Sequence, residues 1–159
     1  MRYRKWFLLG MFLVGVFAPA ISSVHAQTIT KFDVPGAIAT FPTSINPAGV
    51  ITGSYFDSGS IMHRFVRDAS GAFTSFDPPG SFSTDPTSIN PAGEITGAYG
   101  GGHGHGFVRD ASGAFTSFDV PGAGTIDTIP TSINPAGEIT GFYHDFFDAR
   151  VAHGFVRSR

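Results

Sequence analysis

The chain has 159 residues, with 10 lysines and arginines, 12 aspartates and glutamates, and no cysteine. The lack of cysteine excludes disulfides and thiolate metal sites. A formal net charge of −2 without a basic stripe excludes the electrostatic footprint of a nucleic-acid binder.

Arg2, Arg4 and Lys5 open the chain, and an uncharged run follows from Phe7 to Ile21, interrupted by Gly10, Gly15 and Pro19. Val24-His25-Ala26 then offers small or tolerated side chains ahead of Gln27. A positive head, an apolar run and a small-residue exit are the order of a secretory signal peptide. Residues 1–26 are therefore expected to be removed between Ala26 and Gln27, and the chain to be secreted, periplasmic or held in the cell envelope. The apolar run is shorter than the roughly 20 residues a bilayer span needs. An uncleaved anchor is the rival reading, opposed by Pro19 and the small-residue exit. No membrane span is expected in residues 27–159, which form one domain long enough to bury a core without staples.

Repetition dominates that domain. FVRDASGAFTSFD at Phe65–Asp77 recurs unchanged at Phe107–Asp119, and PTSINPAGEITG at Pro86–Gly97 recurs unchanged at Pro130–Gly141. A third copy at Pro42–Gly53 differs only at Val50. Asn46, Asn90 and Asn134 stand 44 residues apart. The units run from about 28 to 71, 72 to 113 and 114 to 159.

Each unit predicts four short strands. In the middle of the chain, Ala72–Asp77 is rich in β-formers and stops at Pro78-Pro79-Gly80. Thr87–Asn90 follows, then a turn at Pro91-Ala92-Gly93, where proline sets φ and glycine takes a positive φ. Glu94–Tyr99 returns, with Ile95, Gly97 and Tyr99 on one face by period-2 alternation. Phe107–Asp110 is the fourth, and Ala111-Ser112-Gly113 turns into the next unit. The recurring apolar positions (Ile45, Ile89, Ile133; Ile51, Ile95, Ile139; Tyr55, Tyr99, Tyr143; Phe65, Phe107, Phe155) are the expected core.

The architecture expected is all-β, with three repeated four-stranded antiparallel units of propeller-blade size. Propellers usually need four or more blades. The alternatives are a closed pseudo-threefold domain, a β-trefoil or β-prism, and a six-bladed ring of two chains, which makes a homo-oligomer a stated option.

His63, His105 and His153 recur two residues ahead of a phenylalanine, and His103 and His144 lie in the preceding loops. His103, His105, His144 and His153 are the candidate metal ligands, although a His-x-His pair alone is a weak signal. Asp33, Asp77 and Asp119 precede Pro-Gly turns and are expected to cap them. Arg67 and Arg109 are expected to pair with Asp68 and Asp110 at the surface. No GxSxG or HExxH is present, and no cofactor motif. Identical residues in every copy suit equal binding subsites better than catalysis, which needs different groups at one place.

HGFVRDASGAFTSFDVPGAG, followed by TSINPAGEITG and an aromatic, resembles the bacterial extracellular HAF repeat family over residues 28–159. Arg64 departs from it where Gly106 and Gly154 stand, and Pro78 where Val34 and Val120 stand. The resemblance implies an exported repeat protein and lends no catalytic residues. The expected function is non-enzymatic, a binding or surface-structural role through repeated loops, with a glycan or an envelope protein as partner. The rivals are an extracellular polymer-degrading hydrolase or lyase with a histidine metal site, and a fragment of a longer repeat protein.

Overall fold

The computed structural model describes residues 27–78, 80–81, 83–100, 104–122, 125–146 and 150–159. Phe32–Arg159 is a compact unit carrying every strand. Gln27–Lys31 belong to a separate unit, are exposed and form no strand, and Ala26 lies outside the described residues. Among the described residues every regular element is a strand, and no helix is long and apolar enough to cross a membrane.

Eleven strands follow in three groups. The first holds β1 (Ala39–Ile45), β2 (Ile51–Phe56), β3 (Met62–Arg67) and β4 (Phe73–Phe76). The second holds β5 (Thr84–Ile89), β6 (Ile95–Gly100), β7 (Gly104–Arg109) and β8 (Phe115–Phe118). The third holds β9 (Thr125–Ile133), β10 (Ile139–Asp145) and β11 (Ala152–Arg157). Within each group, successive strands pair as antiparallel hairpins.

All-β structure is as expected, but the sheets are not divided as expected. β1–β4 form a four-stranded sheet, whereas the second and third groups share a seven-stranded one through a parallel bridge between Gly104 on β7 and Asp127 on β9. The third group has three strands among the described residues. Thr28–Phe32, whose sequence aligns with that of β4 and β8, forms no strand. Extensive packing runs from the first group to the second and from the second to the third. A closed threefold domain would also bring the third back against the first.

Two glycines explain the shared motif. In the Asn-Pro-Ala-Gly turn, Gly93 has φ +82°, its N–H donates to Asn90 O at 3.0 Å, and Asn90 N–H donates to Glu94 O at 3.0 Å. Asn90 Oδ1 also accepts the Glu94 amide at 2.9 Å, so asparagine and glycine close the turn together. Gly97, in the Ile-Thr-Gly segment, faces a β-bulge between Pro86 and Ser88. A Cβ at Gly97 would lie 2.1 Å from Asp85 O and 2.8 Å from Pro86 Cα, so only glycine allows this approach. Gly53 and Gly141 meet the same obstruction.

The core lies between groups. Phe76, Ile89, Ile95 and Phe107 cluster, with Val50 and Val66 packed on them from the first group. Burying such side chains contributes roughly 1.5–3 kcal/mol each. The recurring arginines do not make the expected ion pairs with aspartate. Arg67, Arg109 and Arg157 lie over the rings of Phe32, Phe76 and Phe118, at 5.0, 5.1 and 4.7 Å from the ring centres. Each of these phenylalanines belongs to the segment before the group it stacks on.

Polar bonds join the groups at the repeat spacing. Thr43 Oγ1 donates to Pro86 O, and Thr87 Oγ1 to Pro130 O, both at 2.9 Å. Asn46 Nδ2 donates to Asn90 O at 3.1 Å, and Asn90 Nδ2 to Asn134 O at 3.3 Å. Ile89 N–H donates to Ser44 Oγ at 3.2 Å, and Ile133 N–H to Ser88 Oγ at 3.3 Å. Bulging at Thr43 and Thr87 turns their hydroxyls toward the following group.

Candidate functional site

Strand pairing builds one motif three times. Tyr55 on β2 stands opposite His63 on β3, Tyr99 on β6 opposite His105 on β7, and Tyr143 on β10 opposite His153 on β11. Opposed residues share a sheet face. The ring centres are 5.1, 5.5 and 5.2 Å apart, with tilts of 30°, 41° and 31°. Serines on the next strand hold two of the phenols, Tyr55 Oη lying 2.9 Å from Ser75 Oγ and Tyr99 Oη donating to Ser117 Oγ at 2.8 Å. All three tyrosines are half-buried.

An aspartate meets each imidazole, and it comes from a different place each time. Asp57, from the β2–β3 loop, lies 3.0 Å from His63 Nε2. Asp119, beyond β8, places its two oxygens 2.9 and 3.0 Å from His105 Nδ1. Asp145, at the end of β10, is 3.7 Å from His153 Nε2. The His63 contact, with help from the Ile61 amide, holds the Asp57 carboxyl below its ordinary value. Repeat alignment could not find Asp57 and Asp145, because Asp57 sits in the β2–β3 loop and Asp145 ends β10, at positions that do not correspond in the repeat. The one available signal was an aspartate in or beside the loops before β3 and β11.

The described candidate ligands, His105, His144 and His153, do not gather. His144 pairs with Ala152 in the same ladder where Tyr143 pairs with His153, so His144 and His153 point to opposite faces of the sheet. His144 instead meets Asp127, with its Nδ1 at 2.9 Å and its backbone N–H at 3.0 Å from Oδ1. His105 is held by Asp119, and His103 lies outside the described residues. Among the described residues no three metal-donor side chains form a group.

Among the described residues, the amides that follow Asp33 and Asp119 are taken by other groups. Val34 N–H and Val120 N–H are taken by Thr40 Oγ1 and Thr128 Oγ1, each at 3.1 Å. Asp119 turns to His105, and Asp77 lies 3.9 Å from Arg64 Nη1. Arg64, the departure from glycine, is buried between the first and second groups and donates to Thr84 O and Met62 O. At Gly106 the ring of Phe118 takes that room, and a Cβ there would lie 2.7 Å from it.

Two open clefts border the second Tyr–His pair. One of about 260 Å³ runs past Ser83, Asp85, Tyr99, Gly104 and Asp127. The other, about 510 Å³, runs past His105, Asp119 and Pro121. Both are bounded by Gly104 and Ile126. A half-exposed aromatic ring beside an imidazole, with carboxylate and hydroxyl groups at the rim, offers an apolar face together with hydrogen-bond donors and acceptors. That combination suits a polyhydroxylated ligand. No family model matches the chain, and no curated protein matches it.

Proposed function

We propose that this chain is an exported, non-enzymatic repeat protein that binds extracellular glycan through three equivalent Tyr–His–Asp patches. The observation that carries the reading is the stacked Tyr–His pair with its aspartate, rebuilt in each strand group although the aspartate comes from a different segment each time. A Tyr–His stack kept in all three groups, with a carboxylate 2.9 to 3.7 Å from each imidazole, favours a shared binding task over simple packing. The strand groups then act as propeller-blade-like modules of the HAF repeat kind. Three weak patches on one body gain avidity through effective concentration. Export is supported by the order of charge, apolar run and small residues in positions 1–26.

The test is retention on purified peptidoglycan sacculi and on soluble β-glucans. It compares the parent with Tyr55→Ala, Tyr99→Ala and Tyr143→Ala, singly and together, after circular dichroism has shown the fold intact. Each single change should weaken retention, and the triple change should abolish it. A parent that binds none of these polymers, or a triple variant that binds like the parent, would sink the reading. The intact mass of the recovered chain should start at Gln27.

A further inference from the structure

The interface between successive strand groups is left half-made at each end of the Phe32–Arg159 unit, and the two halves match. Pro-Thr-Ser-Ile-Asn, which supplies the bonds between groups, is identical at Pro42–Asn46, Pro86–Asn90 and Pro130–Asn134. Its threonine and asparagine donate to the following group, and its serine oxygen accepts from that group. In the third group the equivalent donors bond within their own group, Thr131 Oγ1 to Thr140 O at 3.2 Å and Asn134 Nδ2 to Glu138 Oε2 at 2.7 Å. Asn134 is exposed where Asn46 and Asn90 are 6% and 1% exposed, and Thr140 is exposed where Thr52 and Thr96 are fully buried. Val156 is 73% exposed where Val66 and Val108 are partly covered.

The first group shows the converse. Ile45 is 64% exposed, while its equivalents Ile89 and Ile133 are each 6% exposed beneath the group before them. Pro42 is exposed where Pro86 and Pro130 are buried and accept a threonine hydroxyl. A shallow groove of about 270 Å³ runs along Phe32, Pro42, Thr43, Ile45 and Ile51.

We propose that a second copy of this chain docks head-to-tail, its β1 face seated on the exposed face of β9–β11 and repeating the internal junction. Thr131 Oγ1 and Asn134 Nδ2 then donate to Pro42 O and Asn46 O of the incoming copy, and Ser132 Oγ accepts its Ile45 N–H. The donors, acceptors and apolar side chains on the two open faces are those that already meet twice inside the chain, so a second copy offers each face the partner it has at the internal junctions. Docking also serves the outer edge of β11, which no strand pairs among the described residues, although β3 and β7 are covered there by β4 and β8. Phe32 lies under Arg67 on the first group as Phe76 and Phe118 lie under Arg109 and Arg157 at the inner junctions, so an incoming copy brings its Phe32 to that edge. The two faces differ, so the contact is heterologous and either closes as a ring or grows as a filament. No ligand at the Tyr–His pairs is required.

The experiment is analytical ultracentrifugation of the chain recovered after expression of the full sequence, alongside Ile45→Arg and Val156→Arg. Both positions are exposed in the single chain, so neither change disturbs its core. The parent should sediment as a dimer or larger, and each variant alone as a monomer. Mixing the two should restore a one-to-one complex and nothing larger, because one variant keeps a working tail and the other a working head. A parent that stays monomeric at its highest soluble concentration overturns head-to-tail docking. So does a variant that assembles like the parent, or a mixture that remains monomeric.

Discussion

Gly93 and Gly97 are four residues apart and are needed for different reasons. Gly93 has a positive φ, which a side chain tolerates at a penalty of about 1–2 kcal/mol. Gly97 has ordinary strand geometry but sits 2.1 Å, measured from an ideal Cβ, from a backbone oxygen that cannot swing away. Gly97→Ala should therefore lower the melting temperature more than Gly93→Ala, and equal shifts would remove the bulge argument. Glu94, which Val50 replaces in the first copy, is not a freely solvated side chain. It bonds Arg159 Nη2 at 2.8 Å and Asn90 Nδ2 at 2.7 Å. The aspartates of the Asp-Ala-Ser-Gly turns carry a pH prediction. Asp68 and Asp110 are held below the ordinary aspartate value, first by the Ser70 and Ser112 hydroxyls and then by the Ala72 and Ala114 amides. The folded turns favour the carboxylate, so their support is complete above that ordinary value and fades as pH falls through the lower folded one. The Ala72 and Ala114 amide resonances should move together with acid at these turns, and Asp68→Asn with Asp110→Asn should leave them still.

At the scale of the element, the strands and turns could be read from period-2 alternation and from Asn-Pro-Ala-Gly, because each depends on residues a few positions apart. Ile89, Ile95, Ile133, Ile139 and Phe107 followed from their recurrence in the repeat and are buried, whereas Ile45, named by the same recurrence, is 64% exposed. The role of Thr43, Thr87, Asn46 and Asn90 could not be read that way, since their partners lie 43 or 44 residues ahead and the bulge that aims the threonines is a pairing defect. The aspartates behind His63 and His153 were hidden for a related reason, as one comes from a loop and the other from the end of β10, at no shared repeat position. This asymmetry along the repeat yields a test. Thr87→Val keeps the shape of the side chain but removes the bonds to Pro130 O and Thr96 O. A hydrogen bond of this kind contributes a net 0.5–1.5 kcal/mol or so, so Thr43→Val and Thr87→Val should each destabilise by about 1 kcal/mol. Thr131 bonds only within its own group and is exposed, so Thr131→Val should stay within about 0.5 kcal/mol. Chemical denaturation at concentrations where the chain is monomeric measures all three, and equal effects would mean that the bonds between groups contribute nothing.

For the molecule as a whole, β11 is secured from its inner side. Its residues pair with β10 from Ile139 to His144, Phe155 lies edge-on to Phe118 at 6.2 Å, Arg157 covers the Phe118 ring, and Arg159 reaches Glu94 in the second group. The closing segment is thus a strap between the third group and the second, although it is only partly buried itself. Trimming Gln27–Lys31, which is exposed and forms no strand, should leave the melting temperature of the monomer unchanged. Deleting Phe155–Arg159 should lower it strongly. It strips β10 of half its outer pairing and takes a half-buried phenylalanine from the face on which Ile133 and Ile139 are buried, a smaller loss than the roughly 3–5 kcal/mol of a fully buried one. The deletion also bares the edge of β10, so the shortened chain should aggregate on heating where the parent refolds. If both trimmed chains lose the same stability, the ends support each other within one molecule. If neither loses any, β11 is held by nothing that matters to the fold.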